Sequence, residues 1–115
     1  MNSLTEKHCK ACEGGVKPLT QKEAEHLLKK VPDWELNENA SEISRTYVFK
    51  NYYHTIAFVN ALAYISNIEN HHPDLEVSYN KCKVRYSTHA IGGLSENDFI
   101  CAAKSDVMIA MGNKS

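Results

Sequence analysis

The sequence has no excess of positive charge: 13 Lys and Arg stand against 14 Asp and Glu, for a net charge of −1. That balance lacks the electrostatic footprint of a nucleic-acid binder, so a basic DNA-binding module is excluded as the default. Long hydrophobic runs are also missing. Residues 51–68 form the longest stretch without Asp, Glu, Lys or Arg, close to membrane-spanning length, but Asn51, His54, Thr55, Asn60, Ser66 and Asn67 interrupt it. It reads as a buried amphipathic helix, and no membrane partner is expected. No apolar signal segment opens the sequence, and the cysteines at 9, 12, 82 and 101 lack the spacing of a small secreted framework. Reduced thiols in a cytoplasmic protein are the simpler reading. Five glycines and three prolines leave no low-complexity tract, and no internal repeat is found.

What is present suits a globular protein: 115 residues, 43% hydrophobic and 23% charged. A chain of this length buries roughly two-thirds of its unfolded surface, enough for a core without metal or disulfide staples. Residues 1–19 show no sustained apolar period and read as an amino-terminal arm, a mobile tail in which His8, Cys9 and Cys12 form only half of a two-CxxC metal pattern. Residues 20–115 read as a single domain.

Thr20-Gln21-Lys22-Glu23 has capping-box spacing and predicts a helix over 20–31, ended by Pro32. Residues 34–36 begin a strand, 37–40 supply a turn, and Ile43, Arg45, Tyr47 and Phe49 line one face of a second strand. Ile56, Val59, Leu62, Ala63 and Tyr64, widened by Phe58, Ile65 and Ile68, then mark a long helix stopping near Asn70. Leu75, Val77 and Tyr79 alternate with polar residues, as do Cys82, Val84 and Tyr86, so strands over 75–79 and 82–88 should form a hairpin. Ser95 and Asp98 have capping-box spacing before a last helix carrying Phe99, Ala102, Ala103, Val107 and Ala110. The order α-β-β-α-β-β-α implies an α+β domain: one four-stranded antiparallel sheet with helices packed on one face. So small a sheet leaves edges and one face open, and pairing with further copies of the chain is expected.

His71 and His72 sit where the long helix gives way to Pro73, and His89 ends the fourth strand. A hairpin between them carries the chain out and back, which returns His89 to the His-His-Pro corner and places three imidazoles in one cleft. Pro73 disfavours helical geometry for His72. Histidine exchanges protons near neutral pH, as general acid–base catalysis requires. The competing readings are ordinary surface or helix-ending histidines, and a metal site using His71, His72, His89 and Asp98, for which no HExxH-like spacing speaks. Asp98 either completes a capping box or orients a histidine. Trp34 and Tyr79 read as core or rim aromatics, able to stack on a flat ligand beside a cleft. His26 and His54 fall on helices without identifiable partners.

At His71-His72-Pro73, Tyr79, His89 and Asp98 the sequence resembles the pterin-4a-carbinolamine dehydratases. The likeness runs from about Leu19 onward through Pro32-Asp33-Trp34, Tyr47-Val48-Phe49-Lys50, Tyr79-Asn80-Lys81, Ser87-Thr88-His89 and Gly93-Leu94-Ser95. The arm with His8, Cys9, Cys12 and Gly14-Gly15 is similar to that of bacterial members.

The resemblance implies dehydration of a 4a-hydroxytetrahydropterin, the step that recycles the cofactor of aromatic amino-acid hydroxylases. It implies no metal and no bound cofactor, a pterin substrate, a functional link to a hydroxylase, and a homodimer or homotetramer. By position, His71, His72 and His89 match the family's catalytic histidines and Asp98 its motif aspartate. Asn67, Asn70, Pro73, Ser87 and Thr88 fall where the family contacts the pterin. The hypothesis is that His71 and His89 share acid and base roles while His72 orients the ring. One position departs: four residues before His71 the family usually has an acid, and here stands Asn67. Glu69 does not simply replace it, because two residues rotate a side chain about 200° around a helix. A non-catalytic pterin-binding or protein-interaction module is the runner-up, and a metal-dependent hydrolase the third reading.

Overall fold

Thr20 caps the first helix. In the computed structural model, which describes residues 4–10 and 17–112, the Thr20 hydroxyl accepts from the Glu23 amide and the Glu23 carboxylate accepts from the Thr20 amide. This reciprocal pair opens α1, Gln21–Leu28. The helix ends short of residue 31, because the Lys30 and Val31 amides bond to carbonyls three residues back and Pro32 disfavours helical geometry for Val31.

The remaining elements are β1 Glu35–Leu36, β2 Ile43–Val48, α2 Tyr52–Glu69, β3 Asp74–Val77, β4 Lys81–Tyr86 and α3 Glu96–Gly112. The strands form one antiparallel sheet in the order β1-β2-β4-β3. The α+β architecture expected from the hydrophobic pattern is therefore the one observed. Alternation decides the faces: Ile43 and Tyr47 of β2 and Cys82, Val84 and Tyr86 of β4 point to the helices, where they meet Phe58 and Leu62 of α2 and Phe99 and Ile100 of α3. Burying a side chain such as Phe99 contributes about 2–3 kcal/mol. Between the edge strand β3 and its neighbour β4, Glu76 and Arg85 pair at 3.2 Å.

Asp106 ties α3 to the sheet. Its carboxylate accepts from Trp34 Nε1 at 3.0 Å, from Arg45 Nη1 at 2.8 Å, and from the buried Tyr47 hydroxyl. Trp34 and Tyr47 are thus core aromatics whose polar tips share one acceptor.

Helix α2 buries Thr55, Phe58, Leu62, Ser66 and Glu69, a 3-4-4-3 spacing along one side. Its opposite side leaves Tyr53, Tyr64 and Ile68 exposed without any charged residue over 51–68. His54, for which the sequence identified no partner, bonds through Nδ1 to Asn51 Oδ1 at 2.8 Å.

The β3–β4 hairpin is displaced from its predicted ends. The Ser78 amide bonds to the Lys81 carbonyl, so 78–80 make the turn and Tyr79 lies in it, exposed, instead of extending the strand. Strand β4 stops at Tyr86. Thr88 and Gly93 then form an isolated antiparallel bridge around a short 3-10 turn, His89–Ile91. Gly92 takes φ +67°, and a Cβ on Gly93 would stand 2.7 Å from the Pro18 ring.

The described part of the arm packs on the helices. Leu4 joins the core, Lys104 Nζ donates to the Thr5 carbonyl at 3.2 Å, and Lys7 pairs with Glu96 at 2.7 Å. This close packing departs from the picture of a loose tail. Cys12 and Gly14-Gly15 lie outside the described residues.

Candidate active site

The end of α2 turns on Asn70, which adopts the left-handed conformation (φ 52°) that Asn tolerates better than most side chains. The amides of Asn70 and His71 both return to the Ser66 carbonyl, the His71 bond at 3.1 Å. That reversal throws His71 and His72 off the helix and into the approach to β3. The β3–β4 pairing sets Asp74 opposite Arg85 and Leu75 opposite Val84. Extending this register brings the residues before Asp74 alongside those after Tyr86.

The outcome is a cavity of about 500 Å³, within the range of small-molecule sites, whose wall includes Asn70, His71, His72, Ser87, Thr88 and His89. Ile68, Glu69, Ala90 and Asn97 complete that wall with Cys9 and Lys10 of the arm. Asn67 and Pro73 do not line it. Asn67 is exposed, because Ser66 and Glu69 take the inward face of α2 and the intervening position is rotated away.

Asp98 stands behind the wall, with no exposed surface. Its Oδ1 lies 2.6 Å from His71 Nε2, while its Oδ2 accepts from the Thr88 hydroxyl at 2.8 Å and from the Ser95 amide at 3.0 Å. The Thr88 hydroxyl hydrogen is committed to Asp98, so the Ser95 hydroxyl donates to Thr88 Oγ1 at 2.8 Å. Only half of the expected capping box therefore forms: the Asp98 carboxylate reaches back to the Ser95 amide, but the Asp98 amide goes to the Ser95 carbonyl, not to its hydroxyl. An ionised carboxylate accepts only, so this geometry assigns the proton to His71 Nε2 and leaves Nδ1 as the nitrogen able to take one up. The His71 ring also stacks on Tyr86 at 5.8 Å and 10°. Burial pushes the Tyr86 phenol well above its ordinary range, so that platform stays neutral.

His89 differs in environment. Its side chain is 72% exposed and its Nε2 lies 3.9 Å from Asp74 Oδ2. Position decides this: His89 starts the 3-10 turn after Thr88, beyond the end of β4, instead of ending the strand. His72 is exposed as well. One histidine is thus held rigidly by a buried acid, and two stand at the open mouth of the same cavity.

Glu69 was not singled out by the sequence motifs. It is buried, lines the cavity, and accepts from the Cys9 amide at 2.8 Å and from His8 Nδ1 at 3.0 Å, with Lys104 Nζ at 3.4 Å. Desolvation raises its pKa, but the Cys9 amide, His8 and Lys104 together outweigh it and hold the carboxyl below the ordinary range. The signal was present: Glu69 falls on the 3-4-4-3 buried side of α2, where an acid requires partners. Among the described residues no three His, Cys, Asp or Glu side chains come together as a metal-ligand group. No helix among them is long and apolar enough to cross a membrane.

Comparison with known proteins gives a consistent result. The sequence model of the family described as pterin 4 alpha carbinolamine dehydratase matches residues 17–108. A protein of Nitrosomonas eutropha, provisionally named pterin-4-alpha-carbinolamine dehydratase, is 61% identical over 107 residues, covering 92% of this chain and 93% of its own. One from Legionella pneumophila with the same provisional name is 51% identical over 109 residues, covering 94% and 96%. Among solved structures, a transcriptional coactivator/pterin dehydratase from Brucella melitensis superposes with a TM-score of 0.76 at 26% identity, over 80% of this chain and 98% of that one. A pterin dehydratase-like protein described as a RuBisCO assembly factor of the alpha-carboxysome shares the fold, with a TM-score of 0.58 at 21% identity over 66% of this chain and 88% of its own.

Proposed function

Because this chain belongs to the pterin 4 alpha carbinolamine dehydratase family, we propose that it converts a 4a-hydroxytetrahydropterin to the quinonoid dihydropterin and water at the histidine cavity. The observation that carries this reading is the buried Asp98 carboxylate 2.6 Å from His71 Nε2, behind a wall shared with His72 and His89.

The reaction removes the C4a hydroxyl as water and a proton from N5, so one group donates while another accepts. His71, whose Nε2 proton is fixed by Asp98, offers Nδ1 to the substrate as the proton acceptor. His89, at the mouth, supplies the complementary proton transfer. His72 orients the ring. Asn70, Ser87 and Thr88 offer backbone groups to the pterin edge. No metal or bound cofactor enters this scheme.

The chain acts in the cytoplasm, recycling the cofactor of an aromatic amino-acid hydroxylase, and does so as a homodimer or homotetramer. The uncharged side of α2 with Tyr53, Tyr64 and Ile68, and the open edges of β1 and β3, support association. The name of the Brucella melitensis neighbour, which joins coactivator to dehydratase, supports a second reading as a non-catalytic binding module using those same surfaces.

Stopped-flow absorbance of freshly generated 4a-hydroxytetrahydropterin separates these readings. Faster decay with the protein in EDTA, slowed about a hundredfold or more in His71→Ala, is the expected result. No acceleration by folded protein would leave the binding module, and loss of activity in EDTA would point to the metal-dependent hydrolase.

A further inference from the structure

The arm brings one thiol against another. Cys9 Sγ lies 3.4 Å from Cys101 Sγ and 3.7 Å from the Asn97 carbonyl oxygen, one helical turn earlier on α3. Cys9 is partly exposed and Cys101 is wholly buried. The backbone around Cys9 is held from both sides. Its own amide donates to Glu69 Oε1 at 2.8 Å, the Lys10 amide donates to Asn97 Oδ1 at 3.0 Å, and Asn97 Nδ2 donates to the Lys10 carbonyl at 2.6 Å. Cys9, Lys10, Glu69 and Asn97 all lie on the wall of the histidine cavity.

We propose that Cys9 and Cys101 are a redox modification site, whose disulfide latches the amino-terminal arm onto the cavity wall. A disulfide is about 2.05 Å long, so the two sulfurs close by roughly 1.4 Å, which side-chain rotation of the partly exposed Cys9 supplies.

The oxidant is a hydroperoxide. The Cys9 thiolate attacks one peroxide oxygen, the O–O bond breaks, and Cys9 becomes a sulfenic acid while the other oxygen leaves as an alcohol or water. Cys101 sulfur then attacks Cys9 sulfur, the S–S bond forms, and the Cys9 hydroxyl leaves as water with the Cys101 proton. Two thiols lose two electrons and two protons, and the peroxide is reduced by two electrons. Exposure sets the order of events. The Cys9 hydrogen bond and burial keep the Cys101 thiol protonated far above its ordinary range, so it stays inert until Cys9 is oxidised beside it. Cys82, pushed up to about 11 by burial, remains outside the exchange.

The test uses the full chain, folded, with hydrogen peroxide, followed by thiol blocking, peptide mass spectrometry and amide hydrogen exchange. The expected result is a Cys9–Cys101 cross-link, reversed by dithiothreitol, with exchange at the Cys9 and Lys10 amides slowed about tenfold or more. The Cys12→Ser variant should form the same cross-link. Cys9→Ser, with a native circular dichroism spectrum, should lose both the cross-link and the slowed exchange. A Cys9–Cys12 disulfide instead, thiols that stay free at peroxide levels that oxidise glutathione, or unchanged exchange in the cross-linked protein would each overturn the proposal.

Discussion

His71 and Asp98 are 27 residues apart in sequence and 2.6 Å apart in space, a histidine at the end of α2 held by a fully buried carboxylate in the first turn of α3. The Thr88 hydroxyl and the Ser95 amide occupy the other carboxylate oxygen. With both oxygens engaged, Asp98 holds the imidazole in one orientation and one tautomer.

Replacing Asp98 by Asn keeps the shape but removes the carboxylate acceptor that fixes the His71 tautomer. Turnover in the dehydratase assay should fall about 10- to 100-fold with a smaller change in KM. A kcat equal to that of the parent protein would show that Asp98 serves only the helix start.

His89→Ala separates catalysis from folding. The side chain is exposed, so unfolding in urea should shift by less than about 0.5 kcal/mol. Turnover should nevertheless drop about a hundredfold. Equal turnover in the variant would remove His89 from the acid–base pair.

Asp106→Ala should do the opposite. It deprives Trp34 Nε1, Arg45 and the Tyr47 hydroxyl of their shared acceptor. Burial and Asp106 hold the Tyr47 phenol protonated, far above its ordinary range, so it is left as a buried donor without an acceptor. Denaturant unfolding should show a loss of about 3 kcal/mol, while activity per folded molecule stays near that of the parent.

Glu69 makes stability depend on acid. Its folded pKa is lowered, by the Cys9 amide, His8 and Lys104 against desolvation, so its contribution is present above its unfolded pKa and disappears as pH falls through the folded one. The stability gap between the parent protein and Glu69→Gln should therefore be widest above about pH 6 and shrink as pH drops through roughly 4 and below. Urea midpoints measured across that interval check the sign; a gap that widens on acidification would contradict it.

Much of the site was legible before any coordinates. The His-His-Pro corner and the hairpin that follows it can be read from residue type and spacing, Asp98 as the motif aspartate comes from the family resemblance, and the meeting of the histidines at one cavity follows from a strand pair that doubles back. Legibility ended at the details of the hairpin. Alternation alone extended β3 through Tyr79, where the Ser78–Lys81 bond makes a turn, and it carried β4 to His89, where the Thr88–Gly93 bridge has already bent the chain.

Local pattern by itself marked the helices, the strands and their inward faces, though not all their ends, because periods of 3.6 and 2 record which side of an element is dry; the family resemblance singled out the candidate catalytic histidines. Tertiary structure alone decided which groups meet the buried acid. Asn67 occupies the motif position yet faces outward, and Glu69, on the buried side of α2, is met by the arm, some 60 residues away in sequence. A still longer separation, 92 residues, hid the Cys9–Cys101 contact. A periodic pattern tells a side chain whether it is buried, but its neighbours are chosen by where the rest of the chain returns.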